Sequence, residues 1–510
     1  MKITTFFNRY PYLFLPMFGA IGVLGFAPFY AYPAIFFSLA GLITYWLRAD
    51  TIKTAALQGF FYALGLFCVG IYWIFISLHT FGGMPPIMAG IATFLLCAFM
   101  ASFTALVGAL AFLCKKNAVS HIIAIAIFWA LADWTRSWIF TGFPWLTIGY
   151  TQVPFGPFAG FMPIVGVYGV SLITVLFAGG ISALFLKNFS LLTRRNFIVL
   201  LITLWVSGNL LKWVEWTKPI GAPFSVALVQ GNIAQETKWS PEYAEQTITQ
   251  YLALLKKSHA ELTILPETAL PILSHQLDAK LIENIAQHAK MHLGNTIIGI
   301  VEYHPQTQAY FNSALSFGSD ATQHYQKSHL VPFGEFIPLK ALFGWIYRDW
   351  LNMPLSDLSR GEKFQTPMQL AGQKVAVNIC YEDVFGEEII RQLPEATILA
   401  NISNDAWYGK SFAADQHLQF SQARALETGR MVLRATNTGA TAMIDAHGML
   451  LAHAPHDEEI VLTGQAQGYQ GATPYVRFGN WSLIVFCFSV VVFLLFKKLY
   501  HRDTEAQRKP

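Results

Sequence analysis

Three segments of the chain carry residues whose types and spacing suit nucleophilic catalysis. Glu267 stands in a Leu-Pro-Glu-Thr run, and Cys380 stands in an Asn-Ile-Cys-Tyr-Glu run. Between them, the run from Gln326 to Glu335 supplies Lys327 and a second carboxylate. Each segment follows or adjoins a predicted strand, and in α/β domains ligands gather where strands end. We therefore predict that these side chains share one site.

Cys380 is the candidate nucleophile of this site. A free cysteine has a pKa of about 8.5, and its thiolate is the reactive form, so the thiol needs help near neutral pH. Glu267 could take the thiol proton if burial raises the proton affinity of the carboxylate. Lys327 could then stabilise the thiolate and the oxyanion of an attacked carbonyl, where one lost donor costs about 3 kcal/mol. Glu335 could orient Lys327 or shuttle a proton.

Each of these residues also has a purely structural interpretation. A single cysteine after an apolar strand is most often an inert core residue. Glu267, which follows a proline, could cap a helix, and Lys327 could be one more solvated charge. None of the three residues decides the question alone, so the prediction of a site depends on their combination.

The amino-acid composition indicates what kind of protein holds this site. The chain has 510 residues, of which 54% are hydrophobic and 13% charged, whereas an ordinary soluble domain carries about 25% charged residues. Residues 1–211 hold only 12 of the 64 charged residues, and Asp50 and Asp133 are the only acids among them. This distribution indicates a membrane half joined to a soluble half.

Several classes of function are disfavoured. The net charge of +4 is small and dispersed, whereas a nucleic-acid partner would require a dense Lys/Arg face. Cys380 is the only one of the five cysteines in the soluble region, and no Cys/His cluster has zinc spacing. The sequence therefore predicts neither a disulfide scaffold nor a metal site. Because no Walker-type Gly-Lys-Ser/Thr run is present, we expect no nucleotide or other cofactor.

Apolar runs long enough to cross about 30 Å of hydrocarbon recur along the chain. We predict a membrane domain of seven spans at residues 1–213, a soluble domain at 214–478, and a closing span with a basic tail at 479–510. The predicted spans lie at residues 10–30, 31–47, 55–77, 86–113, 118–135, 161–186, 197–213 and 481–496. Lys and Arg concentrate in alternate connecting segments, which places the N-terminus in the cytoplasm and the soluble domain on the outer side.

The soluble domain has the pattern of a layered α/β fold. Short β-rich runs alternate with longer stretches of helical periodicity. The predicted strands are Ser225–Gln230, Leu262–Leu265, Thr296–Val301, Val375–Ile379 and Thr397–Asn401. The predicted helices are Tyr243–His259, Lys280–His292 and Ala414–Thr428.

The order Glu…Lys…Cys, with the local runs around these residues, resembles the nitrilase (carbon–nitrogen hydrolase) superfamily. The runs are Pro-Glu-Thr, Lys-Ser-His-Leu-Val-Pro-Phe-Gly-Glu and Cys-Tyr-Glu, and residues 401–409 and 434–439 are similar to the same pattern. The resemblance implies an αββα sandwich with Glu267 as base, Lys327 as the oxyanion-stabilising residue and Cys380 as nucleophile. Glu335 matches the second glutamate that this superfamily needs.

The resemblance also implies roles for residues around these four. The backbone N–H of Tyr381 would complete the oxyanion hole, and Glu382 would support the pocket. Trp239 and Trp407, and Tyr408 beside the latter, match aromatic positions that the superfamily uses near substrate. For both tryptophans, plain packing is an equally open interpretation.

A soluble domain between seven spans and one span resembles a membrane-bound, acyl-transferring branch of this superfamily. That resemblance implies a covalent thioester on the cysteine and a glycerophospholipid, phosphatidylethanolamine, as acyl donor. The implied acceptor is the α-amino group of the diacylglyceryl-modified N-terminal cysteine of a lipoprotein. The implied location is the bacterial cytoplasmic (inner) membrane, with the catalytic domain on the periplasmic side.

The segment 342–353 is too aromatic for an exposed loop, and it contains Trp345 and Trp350. We expect a mobile arm that dips into the outer leaflet and contacts lipid, as interfacial amphipathic segments do. A buried core loop is the alternative interpretation.

Two other functions remain open from the sequence alone. A membrane-tethered amidase or nitrilase-type hydrolase would use the same residues, with water resolving the thioester. A transporter or receptor with a soluble sensor domain is disfavoured because the predicted spans contain few charged residues, which transport of ions usually requires.

Overall fold

The computed structural model describes residues 10–186, 189–338 and 357–506, with side chains described as far as Phe496 in the last range. Contacts within the chain divide it into two compact units. One unit comprises the residues up to Tyr72, residues 91–214 and the residues from Phe478 onward. The other comprises Trp73–Gly90 and Glu215–Arg477. We call them the helical unit and the catalytic unit.

The helical unit is built from apolar helices, several of which begin at recognisable capping residues. The Thr51 hydroxyl accepts a hydrogen bond from the Thr54 N–H, and Asn117 forms a capping box with Ser120; such caps satisfy N–H groups that lack helical partners. The helices are α1 (Pro11–Gly22), α2 (Pro33–Arg48), α3 (Ile52–Gly70), α4 (Pro86–Leu113), α5 (Ala118–Arg136), α6 (Met162–Phe185) and α7 (Leu191–Leu211), followed by the C-terminal helix Trp481–Ala506.

Within the described ranges, five helices are long and apolar enough to cross a membrane: α3, α4, α5, α6 with the turn that precedes it, and α7. The apolar helices Pro11–Gly25, Pro33–Arg48 and Trp481–Phe496 are shorter. These eight apolar segments lie where the sequence predicts spans. The predicted span 55–77 differs, because α3 ends at Gly70 and the residues from Trp73 onward group with the catalytic unit.

The catalytic unit contains twelve strands in two six-stranded sheets. The strands are β1 (Lys218–Gln230), β2 (Leu262–Ile264), β3 (Asn295–His304), β4 (Ala309–Gly318), β5 (His324–Gln326), β6 (Met368–Leu370), β7 (Gln373–Ile379), β8 (Ile398–Ser403), β9 (Val432–Thr436), β10 (Ala442–Ile444), β11 (Leu450–His453) and β12 (Ile460–Gln470). One sheet has the order β12-β1-β2-β3-β4-β5 and the other β11-β10-β9-β8-β7-β6. Three central strands are parallel in each sheet, β1-β2-β3 and β7-β8-β9, and their outer neighbours are antiparallel.

The two sheets pack face to face around one apolar core. Val226 and Leu228 of β1 and Ile264 of β2 contact a layer that includes Val377 and Ile379 of β7, and all five are almost completely buried. The central strands are buried on both faces, which explains why they read as continuous apolar runs rather than as alternating ones. Fully burying each such side chain contributes about 1.5–3 kcal/mol.

Helices cover the outer faces of both sheets. The first is covered by α8 (Pro241–Lys256) and α9 (Ala279–Met291), and the second by α10 (Ala413–Thr428). Shorter helical turns lie at Trp73–Ile76, Ser77–Phe81, Gln235–Lys238, Ser274–Gln276, Cys380–Val384, Gly386–Ile389, Ile390–Gln392, Asp405–Tyr408 and Pro474–Phe478. The layers are therefore helix, sheet, sheet, helix, and the predicted αββα sandwich is confirmed.

Candidate active site

Glu267 follows the end of β2, where the chain passes unusually close to β3. A Cβ atom on Gly299 of β3 would lie 2.3 Å from the Pro266 carbonyl oxygen and 2.6 Å from the Glu267 Cα. Only glycine permits this approach. The next residue, Thr268, has a φ of 46°, a left-handed conformation that non-glycine residues rarely adopt. The backbone therefore fixes the direction in which the Glu267 carboxylate leaves the strand.

Lys327 follows β5 directly and lies between two carboxylates. Its Nζ is 2.9 Å from Glu335 Oε1 and 3.3 Å from Glu267 Oε1, and its side chain is 1% exposed. The Glu335 carboxylate is held in turn by the Val331 N–H, which donates to Oε2 at 2.8 Å. One ammonium thus joins the carboxylates of two segments that are far apart in the sequence.

Asn312 of β4 also links these two carboxylates. Its Nδ2 donates to Glu267 Oε1 at 2.7 Å and to Glu335 Oε1 at 2.8 Å, and the Asn312 carbonyl oxygen accepts from the Lys327 N–H at 2.8 Å. Both carboxylates can only accept hydrogen bonds, so the amide atom of Asn312 that contacts them must be the NH₂ nitrogen. Asn312 is a site residue that the sequence analysis did not identify.

Cys380 is the first residue after β7 and opens the turn Cys380–Val384. Its φ is 54°, and a non-glycine residue in this region costs about 1–3 kcal/mol unless its surroundings hold it there. Two side chains hold its carbonyl oxygen: His417 Nε2 at 3.1 Å and Asn401 Nδ2 at 3.3 Å. The turn points the side chain away from the strand, at a position where the residue is 6% exposed.

The charges around Cys380 shift the pKa of its thiol in opposite directions. Burial raises the pKa of the Cys380 thiol, and the negative charge of Glu267 raises it further. The Lys327 ammonium and the Ser403 side chain oppose the shift without cancelling it. A thiol with a raised pKa stays protonated near neutral pH, so nucleophilic attack requires a nearby group that takes the proton.

Lys327 remains a cation in this environment. Burial by itself would lower the pKa of Lys327, but the charges of Glu335, Glu267 and Cys380 together raise it above its ordinary value. A permanently charged ammonium beside a nucleophile stabilises negative charge that develops during reaction.

A second buried network lies behind the nucleophile and supports its carbonyl. His417 Nδ1 is 2.8 Å from Asp405 Oδ1, and the other carboxylate oxygen of Asp405 accepts from Arg434 at 2.8 Å. Since Asp405 and the Cys380 carbonyl are both acceptors, both ring nitrogens of His417 donate. Arg434 also donates to Asp383 at 3.2 Å. Burial would raise the pKa of Asp405, but Arg434 and His417 hold it well below its usual range.

Glu382 ties the nucleophile turn to the segment that carries Lys327. Its carboxylate accepts from the N–H groups of Ser328 (2.7 Å), His329 (3.1 Å) and Ile379 (2.8 Å), and from the Tyr325 hydroxyl at 3.0 Å. Burial raises the pKa of Glu382 despite these backbone hydrogen bonds. Its position matches the supporting role that the resemblance implies.

Tyr381 follows the nucleophile directly. Its ring lies 5.8 Å from His329 and 5.1 Å from Phe385. Burial, and then the charge of Cys380, raise the pKa of its hydroxyl, which places Tyr381 beside the thiol.

Of the predicted aromatic residues, Tyr408 lies near the catalytic groups. Burial raises the pKa of Tyr408 far above its ordinary value, with further contributions from Cys380 and Glu267 among others. Trp239 is half-buried and packs against the small core of Val301, Leu330 and Leu358, as its packing interpretation expects. Trp345 and Trp350, with the rest of the segment 342–353, lie outside the described residues.

Trp407 and Tyr408 also form the contact surface for the segment Trp73–Gly90 of the catalytic unit. The Ser77 hydroxyl donates to the Trp407 carbonyl oxygen at 2.8 Å. The Trp73 indole N–H donates to Gln416 at 3.2 Å, and its ring lies 4.7 Å from that of Tyr408. The loop next to the nucleophile is thus covered by residues that precede it by more than three hundred positions.

Together these groups provide a nucleophile, a proton acceptor and a fixed cation around one thiol. That set suits attack on an ester or amide carbonyl through a covalent thioester. In the part of the chain that the structure describes, no group of three or more His, Cys, Asp and Glu side chains is arranged to hold a metal ion.

The structure unites residues that the sequence analysis named and adds others. Glu267, Lys327 and Glu335 are joined by direct ion pairs, and Cys380 is within their electrostatic reach. Among the added residues, Asn312 gave no local signal, whereas His417 is a polar residue on a predicted helix, which is a signal that could have identified it. Asp405 and Arg434 lie in the runs 401–409 and 434–439, which the sequence analysis compared with the superfamily pattern without giving these two residues a role.

Two family models match the chain. Residues 225–475 match the model described as "Carbon-nitrogen hydrolase", and residues 18–180 match "Apolipoprotein N-acyltransferase N-terminal domain". The two matches fall on the catalytic unit and on the helical unit, except that the second also covers residues 73–90.

Curated proteins named apolipoprotein N-acyltransferase are similar over nearly the whole chain. The protein of Nitrosomonas europaea is 48% identical over 91% of this chain and 92% of its own length. That of Chromobacterium violaceum is 41% identical, over 94% of this chain and 92% of its own length. That of Methylococcus capsulatus is 39% identical and covers 93% of both chains.

Proposed function

Because this chain belongs to the apolipoprotein N-acyltransferase family and is an acyltransferase, we propose how its site works. A fatty acyl chain moves from a membrane glycerophospholipid to the N-terminal amine of a lipoprotein, through a thioester on Cys380. The observation that carries the proposal is the buried thiol at the end of β7, within electrostatic reach of Glu267 and Lys327.

In the first half-reaction, Cys380 attacks an ester carbonyl of the phospholipid. Glu267 takes the thiol proton as the S–C bond forms, and the carbonyl oxygen becomes an oxyanion. Lys327 and the backbone N–H of Tyr381 stabilise that oxyanion. The intermediate collapses, the ester C–O bond breaks, and the proton on Glu267 passes to the departing lysophospholipid.

In the second half-reaction, an amine resolves the thioester. The α-amino group of the diacylglyceryl-modified N-terminal cysteine of a lipoprotein attacks the thioester carbonyl, and Glu267 takes a proton from the nitrogen. The C–S bond breaks, the amide forms, and the Cys380 sulfur regains a proton. The direction is favourable because thioesters react readily with amines, whereas the amide product is not easily reversed.

Glu335 supports both steps by holding Lys327. With Nζ 2.9 Å from Glu335 and 3.3 Å from Glu267, the ammonium has little freedom to leave the oxyanion site. Trp239, Trp407 and Tyr408 are proposed to line the path of the substrate. Tyr408 has the strongest support, because an ionised Cys380 would raise the pKa of its hydroxyl.

The membrane context favours the proposed donor and location. The chain is a membrane protein; Lys115 and Lys116 lie in the connection between α4 and α5, and Arg194 and Arg195 lie near the N-terminal end of α7, where positive residues mark the cytoplasmic side. We propose that the protein resides in the inner membrane with the catalytic unit on the periplasmic side. Glycerophospholipid is then the acyl source next to the site.

The family membership favours acyl transfer over the alternative of a tethered amidase or nitrilase-type hydrolase. The two differ in the group that resolves the thioester, an amine or water. Purified protein supplied with phospholipid and a lipopeptide with a free N-terminal amine should produce the N-acylated peptide, measured by mass. Free fatty acid as the only product would contradict the proposal.

Intact-mass analysis tests the thioester itself. After incubation with phosphatidylethanolamine vesicles alone, the protein should gain the mass of one acyl chain, and peptide mapping should place it on Cys380. Mapping is needed because Cys68, Cys97, Cys114 and Cys487 are also cysteines outside disulfides. The Cys380→Ala variant should gain no mass. Acylation of that variant, or none of the wild type, would overturn the assignment.

A further inference from the structure

Lys238 is a second lysine in the interior of the catalytic unit. It ends the helical turn Gln235–Lys238 and is 0% exposed, although lysine is almost never fully buried unless paired. Its Nζ donates to the backbone carbonyl oxygen of Glu267 at 3.0 Å. The sequence analysis did not identify it.

The ammonium of Lys238 has no carboxylate as a direct partner. Among the described residues, its side-chain acceptor is the Glu267 carbonyl oxygen. An isolated buried charge is costly, so the charges that compensate it must act over a longer range. The Glu267 carboxylate does so, and Cys380 adds to the effect when its thiol is ionised.

The charge balance of the site indicates what Lys238 contributes. Lys327 alone lies between the carboxylates of Glu267 and Glu335, so these three groups together carry one net negative charge. Lys238 brings the set to neutrality. A buried negative set would oppose formation of a thiolate on Cys380, because a like charge disfavours ionisation.

The titration of Lys238 agrees with this role. Burial lowers the pKa of Lys238 to about 8, against the attraction of Glu267 and Cys380. The residue is therefore mostly protonated at neutral pH and loses its charge as the pH rises through 8.

We propose that Lys238 is a positioning residue that fixes Glu267 through its backbone carbonyl and supplies the charge that keeps the catalytic set neutral. The proposal rests on Cys380 being the nucleophile of the proposed function. When the S–H bond breaks and the proton joins the Glu267 carboxylate, the set gains one positive charge and the Cys380 sulfur becomes negative, so the sum of the two does not change. Lys238 stabilises the thiolate state that this transfer produces.

The groups around the Cys380 thiol come from several elements. Glu267 after β2, Lys327 after β5, Ser403 at the end of β8 and Asp405 after it shift the pKa of Cys380. The charge of Cys380 in turn favours the charged form of Lys238 and raises the pKa values of Tyr381 and Tyr408, and His417 of α10 contacts the Cys380 carbonyl oxygen. A substitution at Lys238 leaves the others in place.

The test measures the rate at which iodoacetamide alkylates Cys380 as a function of pH, with peptide mass spectrometry to separate it from the other cysteines. Lys238→Met removes both the charge and the hydrogen bond, whereas Lys238→Gln removes the charge and keeps a donor. At pH 7, where Lys238 is protonated in the wild type, both variants should be alkylated about tenfold more slowly, since a nearby cation lowers a thiol pKa by about one unit. Well above pH 8, where wild-type Lys238 has lost its charge, the rates of the variants and the wild type should converge. The control Lys257→Met, at an exposed lysine, should keep the wild-type rate at every pH.

Two outcomes would overturn the proposal. A wild-type alkylation rate at pH 7 in both variants would show that the charge does not reach Cys380. A wild-type rate in Lys238→Gln with a slower rate in Lys238→Met would show that the hydrogen bond alone matters. Because alkylation needs no lipid, failure of acyl transfer in the wild type would count against the proposed function and not against Lys238.

A second comparison covers the case in which the neutral variants do not fold. In the wild type, loss of the Lys238 proton above pH 8 should raise the thiol pKa and broaden the alkylation profile beyond a single titration. Lys238→Arg keeps its charge throughout that range, so its profile should follow one titration. Identical profile shapes in the two proteins would contradict the proposal.

Discussion

Two buried sets of charged side chains flank Cys380, and they differ in whether their protons can move. On one side, Glu267 and Glu335 share the ammonium of Lys327. On the other, Arg434 and His417 hold Asp405 by direct hydrogen bonds. We call them the reactive set and the supporting set.

In the supporting set, the charges of Arg434 and Asp405 are each held in one state. Arg434 cannot lose its proton in a protein, and with His417 it keeps the pKa of Asp405 well below the usual range against the effect of burial. The reactive set adjoins a thiol whose pKa burial and Glu267 raise. The comparison teaches that burial alone does not make a charged cluster catalytic. Catalysis also requires a group that can accept a proton next to a group that can release one.

The largest effect should come from Glu267→Gln in the reactive set. Glutamine keeps an oxygen for Asn312 but cannot accept the thiol proton, and general-base catalysis contributes about 10²–10⁴-fold. We expect the rate of acyl-enzyme formation to fall about a thousandfold with little change in the unfolding midpoint. The exposed Glu245→Gln on α8 is the matched control and should keep the wild-type rate. A wild-type rate of acyl-enzyme formation in Glu267→Gln would show that Glu267 is not the general base.

Arg434→Met in the supporting set should act on stability. It leaves Asp405 and Asp383 without their shared cation, and breaking a buried pair costs about 3–5 kcal/mol. Chemical unfolding of the detergent-solubilised protein should show a loss of this size.

Arg391→Met is the matched control, because Arg391 pairs with Glu388 while 25% exposed. Such partly exposed pairs contribute about 1 kcal/mol or less. Equal losses of unfolding free energy in Arg434→Met and Arg391→Met would contradict the stabilising role of the supporting set. An unchanged unfolding free energy in Arg434→Met would contradict it as well.

A smaller effect is expected from Asn312→Leu. This change removes the amide that donates to both carboxylates of the reactive set, and each hydrogen bond to a charged group contributes about 1.5–3 kcal/mol. Because Lys327 still holds the pair, we expect acylation to slow about tenfold, measured in a single turnover with phospholipid. A loss as large as that of Glu267→Gln would mean that Asn312 contacts the reacting atoms.

The smallest effect concerns the pH dependence of stability. Because the folded state depresses the pKa of Asp405, this carboxylate stabilises the fold above its unfolded pKa of about 3.9, and that stability is lost as the pH falls further. The unfolding free energy of Asp405→Asn should therefore depend less on pH below about 4 than that of the wild type. Parallel pH curves would show that Asp405 is not held ionised.

The sequence could predict the positions of the reactive residues because they follow strand ends. The apolar runs before Glu267 and Cys380 are strands β2 and β7, and short turns leave their first polar residues at the sheet edge. The alternation of strands and helices predicted a layered α/β domain, and the resemblance to the nitrilase superfamily implied the αββα arrangement. Local sequence patterns are enough to predict the position of a residue when that position depends only on the strand or helix next to it.

The sequence could not predict contacts that depend on which elements pack together. Asn312 lies in β4, and its role exists only because β4 pairs with β5 and is separated from β2 by β3 alone, so that its amide reaches Glu267 and Glu335. His417 looks like an ordinary polar residue of a helix until α10 is placed behind Cys380. For the same reason hydropathy extends a span through Trp73, whose indole in fact binds Gln416.

The contacts of Trp73 and Ser77 have a consequence for protein engineering. A recombinant fragment that starts after α7 and stops before the C-terminal helix would contain all twelve strands but would lack the cover of Trp407 and Tyr408. Its aromatic loop would be exposed to water beside the thiol. Such a fragment needs a graft of residues 73–90 to reproduce the native surface, so a minimal soluble version of this enzyme has to be assembled from two separate stretches of the gene.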